Sequence, residues 1–198
     1  MTPFEQPDAM RSEVNYPAAM QEVLRGREAV YEELLREQKS VIYCFLNIFL
    51  FGLLHAALVI ILAKNALGVP EGQAGIGMQT QVAILCSGIM VAFFMHAGAA
   101  LFFWVFARGL GGHPAFLPLY LNLGIGFIAL WPAAPVLAAF QAGVGGPWLG
   151  LVLLIASLYA LKVIFAGLRS ASKLSVGRMG VAMILTGAYV ACFLYLWV

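Results

Sequence analysis

His55 and His96 are imidazoles placed inside long apolar runs, where a side chain able to ligate metal is costly to bury and so marks a functional candidate. His55 falls 14 residues beyond Val41, where the first apolar run begins, and His96 falls 12 residues before Arg108, where the second ends. At the rise of an α-helix this predicts two rings within roughly 5 Å of the same depth on neighbouring helices. Such a pair suits axial ligation of a b-type haem, with Arg108 as the cation nearest to a propionate. The chain has no second pair of this kind, so the first expectation is that no cofactor is held, with haem b at His55 and His96 as the alternative.

Few other groups carry chemistry. No Asp or Glu falls within an apolar run, which leaves a carboxylate proton relay without a carrier. Lys162 stands seven residues from Arg169, roughly 10 Å by helical rise, a distance that a four-carbon stem partly covers by snorkelling. Lys162, Arg108, Arg169, Lys173 and Arg178 are therefore expected at the lipid headgroup level. Cys44, Cys86 and Cys192 lack metal-type spacing, and no Ser-His-Asp set, paired carboxylate or phosphate-cradling loop occurs. A non-enzymatic protein is expected.

The elements that must position these residues are membrane spans. The composition is 63% hydrophobic and only 10% charged, and the mean hydropathy is +0.93. About 20 helical residues cross a bilayer core, and runs over 41–63, 81–107, 116–140, 147–168 and 178–198 all satisfy that length. Barrel-type alternation is absent, so the predicted fold is all-α, a polytopic membrane bundle of five transmembrane helices with an N-terminal cytoplasmic amphipathic helix. Arg25, Arg27, Arg36 and Lys39 precede the first span, Arg108 follows the second, and Arg169, Lys173 and Arg178 follow the fourth. The positive-inside bias then predicts a cytoplasmic N-terminus and an outside C-terminus, and in a prokaryote the cytoplasmic membrane.

Residues 1–17 hold Pro3, Pro7 and Pro17 and read as a flexible N-terminus. Over 18–40, Met20, Val23, Leu24, Val30, Tyr31, Leu34 and Leu35 recur at helical spacing, with Gly26 weakening the middle. This stripe must be covered, either by the membrane surface and the protein's own bundle or by a partner protein. Residues 1–40 carry five basic against eight acidic side chains, a balance of −3 that disfavours anionic headgroups and nucleic acid and favours the partner. Glycine and alanine clusters predict close helix contacts, and Pro132 with Pro135 predict an interrupted third span.

The run Arg108-Gly109-Leu110-Gly111-Gly112-His113, the proline-bearing span from Phe116 to Pro135, the opening Pro147-Trp148 and the polar run from Gly167 to Arg178 come in an order similar to that of the Yip1 domain family. The resemblance covers about residues 40–198. It implies five spans, a cytosolic N-terminal region and a Gly-Gly turn after the second span. The Asp-Leu-x-Gly-Pro motif of the eukaryotic, Rab-associated members does not occur between Met1 and Ser40, so the resemblance points to a prokaryotic-type member. The expected function is a scaffold or accessory subunit of a larger membrane assembly, touching lipids and either other subunits or copies of itself. The alternatives are a haem- or quinone-associated anchor of an electron-transfer complex and a small transporter or channel.

Overall fold

The computed structural model describes residues 15–66 and 76–197; most of the expected flexible segment 1–17 lies outside them. Eight α-helices occupy the described residues: α1 (Tyr16–Leu24), α2 (Glu28–Arg36), α3 (Ser40–Ala66), α4 (Met78–Gly109), α5 (Phe116–Gly126), α6 (Ala134–Gln141), α7 (Pro147–Ser172) and α8 (Val176–Trp197). A 3₁₀ stretch, Phe127–Ala133, joins α5 to α6 into one broken span. With α3, α4, α7 and α8 this makes five helical segments long and apolar enough to cross a membrane, as an integral membrane protein requires.

The single helix expected over 18–40 is two helices folded as a hairpin. Asn15 caps α1 by accepting from the Ala18 amide at 3.0 Å. At the other end Gly26 takes φ +78°, and the amides of Gly26 and Arg27 turn back to the carbonyls of Val23 and Glu22. These are the two bonds of a Schellman ending, which glycine enters without a Cβ clash. The residue read as a weak point in one helix is therefore the turn between two. α2 ends the same way at Gln38, with φ 58°.

The broken span is the central one: it is mostly buried, with α3, α4 and α7 against it and α8 packed on the outside of α4. Its irregularity starts at Phe127, earlier than Pro132 and Pro135 suggest. Neither proline has an amide to donate to the carbonyl four residues back, and each ring crowds that carbonyl, so the preceding turn tightens to 3₁₀ geometry. α3 and α4 approach closely at Gly52 and Gly88. A Cβ on Gly52 would stand 2.8 Å from Ile89 Cα, and one on Gly88 2.6 Å from Ala56 Cβ.

We call the end of the bundle that carries the hairpin, the α4–α5 turn and the α7–α8 loop the basic end.

Candidate functional site

The hairpin lies with its apolar face on the bundle. Met20, Val23, Val30, Tyr31 and Leu34 are buried and Leu24 and Leu35 half-buried, packed toward α3, α5, the 3₁₀ stretch and α7. Of the covers expected for the stripe, the protein's own bundle supplies it, and the stripe is closed to a partner. The exposed face carries Gln21, Arg25, Arg27, Glu32 and Arg36 instead.

Tyr31 fixes this docking. Its fully buried ring lies over Gly167, where a Cβ would come within 2.8 Å of the ring, and its hydroxyl donates to the Val163 carbonyl at 3.3 Å. Burial pushes its phenol up from the ordinary tyrosine value. Nearby, the Tyr159 hydroxyl donates to the Leu24 carbonyl at 2.8 Å and Arg169 meets Glu28 at 3.5 Å.

Asn47, on α3 and fully buried, is the second tie. Its Nδ2 donates to the Ile125 carbonyl at 2.8 Å, next to the change from α to 3₁₀ geometry, and its Oδ1 accepts from the Tyr16 hydroxyl at 2.6 Å. The Trp131 indole donates to the Asn47 carbonyl at 3.2 Å. One amide thus joins the hairpin, the first span and the broken span. Asn122 does the same between α5 and α7, donating to the Gly167 carbonyl at 3.0 Å. A scan of the spans for ionisable groups passes over both asparagines. The signal that finds them is a buried amide inside an apolar run, which must spend its hydrogen bonds on neighbouring helices.

His55 and His96 are not brought together. Gly52 lies level with Ile89, and the helices run antiparallel, so His55 stands near residue 86 of α4, about 15 Å along the axis from His96. His96 is fully buried, beside Tyr120 and Phe127. Its Nε2 lies 3.0 Å from the Tyr120 carbonyl, which can only accept, so Nε2 carries the proton and is not free to bind iron. His55 faces a different space, a cavity of about 450 Å³ between α3 and α4 that Thr80, Ser87 and Gln141 also line. The pair does not fit a bis-histidine haem. The depth estimate fails because it counted both rings from the basic end, whereas the two helices extend past it by different amounts.

The cations keep separate stations. Arg108 stacks over the Trp104 ring at 4.8 Å, and the Trp104 indole donates to the Pro114 carbonyl at 3.1 Å, which ties the α4–α5 turn back to α4. The stem of Lys162 lies by the hairpin turn, with Cε 3.9 Å from where a Gly26 Cβ would stand. Lys173, in the left-handed region at φ 52°, ends α7, and Arg178 reaches across to Gly111. Among the described residues no cluster of three or more His, Cys, Asp or Glu side chains is placed to hold a metal ion.

No protein-family model matches this chain, and neither a curated protein nor a solved structure is similar to it.

Proposed function

We propose that the protein is a non-enzymatic membrane scaffold or accessory subunit, which presents the charged outer face of the α1–α2 hairpin to a partner from a rigid five-span base. The observation that carries this reading is the docking of Tyr31 over Gly167. A nine-residue helix does not hold its shape alone in water. Locked to α7, it becomes a fixed platform with Arg25, Arg27, Glu32 and Arg36 facing outward. Partner contact through these charges replaces contact through the apolar stripe, which the bundle covers. The polar groups buried among the helices support the same reading, since Asn47, Asn122 and His96 bond to backbone carbonyls of neighbouring segments.

A cytoplasmic position for the hairpin belongs to this proposal and rests on the positive-inside bias of Arg108, Arg169, Lys173 and Arg178. So does kinship with the Yip1 domain family, supported by the five-span order and the Gly111-Gly112 turn after the second span. Purification of the tagged protein from native membranes in mild detergent tests the reading. A companion protein at fixed stoichiometry is expected, and a monodisperse protein that always purifies alone counts against it.

A further inference from the structure

The five carboxylates of the described residues all lie on the hairpin and its exit, between Glu22 and Glu37. Glu22, Glu28 and Glu37 pair there with Arg25, Arg27, Arg169 and Lys39. Lys173 and Arg178 are different: both are exposed and neither makes an ion pair among the described residues. With Gly111, Gly112, His113 and Ser175 they line a concavity of about 650 Å³ that no carboxylate of the described residues borders.

Two loops distant in sequence build this concavity. Gly111 takes φ +83°, and an Arg178 nitrogen lies 3.3 Å from where its Cβ would stand. A Cβ on Gly112 would fall 2.8 Å from Leu174 Cδ2, so the bare backbone of the Gly-Gly turn is the seat of the α7–α8 loop. α8 also starts here, and the first amides of a helix have no partners within it and carry its positive pole. A planar guanidinium, an ammonium and a helix start around one hollow are the recognition chemistry of a phosphate.

A second observation says what that phosphate is attached to. Beyond the loop, α7 and α8 separate along one side of a cavity of about 300 Å³, where Leu161, Leu168, Met183 and Gly187 face Phe51 of α3, Phe103 of α4 and Phe127 of the broken span. Ser172 and Met179 touch at 3.7 Å and close the interior directly under the loop. On the outer side Leu161, Met183 and Gly187, which also line the cavity, border a surface groove with Lys162, Phe165 and Ile184. Leu168 and Met183 are each five residues from Lys173 and Arg178, about 7.5 Å by helical rise. That step is comparable to the one from a lipid phosphate to the first methylenes of its acyl chain. An ion site alone has no use for an apolar slot, and a slot for a neutral lipid has none for two unpaired cations.

We infer that the basic end of the α7–α8 pair binds one anionic phospholipid, its phosphate held by Lys173, Arg178 and the start of α8 and one acyl chain in the cavity. The test titrates delipidated full-length protein in detergent with phosphatidylglycerol, with phosphatidylcholine of the same chains, and with inorganic phosphate, counting bound molecules by native mass spectrometry. One phosphatidylglycerol is expected to bind saturably, about tenfold more tightly than phosphatidylcholine. Lys173→Gln with Arg178→Gln, two exposed substitutions that leave the fold alone, should abolish that preference. Gly187→Leu should weaken both lipids, because no heavy atom lies within 4 Å of its Cβ position and the new side chain enters the cavity. Equal binding of the two lipids, or a double variant that keeps the preference, overturns the inference. Displacement of the lipid by equimolar inorganic phosphate, or no effect of Gly187→Leu, overturns the lipid as the ligand and leaves a free-anion site.

Discussion

Two short helices of the molecule and one of its long spans are attached in opposite ways. The hairpin is made of two nine-residue helices, yet a buried tyrosine, a buried asparagine and an ion pair tie it to α3 and α7. α8 is 22 residues long, yet it leans mainly on α4, through Tyr189 stacked on Phe102 and set against Gly98, and touches α7 only lightly. Its Thr186 hydroxyl bonds to Ala182 of its own helix. Length and apolarity place a helix in lipid, but they do not fix it to its neighbours, because lipid tails solvate an apolar helix as well as another helix does. Shape fit and buried hydrogen bonds do the fixing, and the sequence concentrates them at the hairpin.

That contrast can be broken from either side. Tyr31→Ala should have the largest effect, removing a fully buried ring and costing about 3 kcal/mol. The expected result is a lower melting temperature in detergent and fast trypsin cleavage at Arg25, Arg27 and Arg36. Asn47→Leu should cost about 2 kcal/mol, since it leaves the Ile125 carbonyl and the Tyr16 hydroxyl unpaired. Protease sensitivity should then rise at the hairpin and around the broken span together. Gly167→Ala should cost about 1 to 2 kcal/mol by pushing the Tyr31 ring off its seat.

Tyr31→Phe should cost under about 1 kcal/mol, because its hydrogen bond is long, but it should change the alkaline behaviour. The folded protein raises the phenol above its ordinary value of about 10. Docking is therefore fully stabilised below pH 10 and weakens as pH rises through the elevated folded value. Trypsin release of the hairpin at high pH should accordingly be steeper in the wild type than in Tyr31→Phe. The smallest effect on the hairpin is expected from Tyr189→Ala. It should loosen α8, seen as faster hydrogen exchange there, while cleavage at Arg25 stays at the wild-type rate.

Much of the fold was legible because the bilayer imposes a length on each span, and runs such as 147–168 stand out by composition alone. The hairpin was half legible. Its apolar stripe showed in the spacing of Val30, Tyr31 and Leu34, but whether Gly26 weakens a helix or ends it depends on what the stripe packs against. The site was less legible still. Asn47 and Asn122 matter only through carbonyls of other helices, and those contacts are long-range. His55 and His96 pair only when both are counted from the basic end, and the crossing at Gly52 sets the real register.

The claim that the hairpin is a partner platform meets its most direct test in a charge reversal on its outer face. Tagged wild type and the double variant Glu32→Arg, Arg36→Glu would be purified in parallel from native membranes, with companions quantified by mass spectrometry and folding checked by thermal melting. The account expects a stoichiometric companion with the wild type and its loss from an equally stable variant. A companion retained undiminished by the variant, or a wild type that purifies alone, would contradict it.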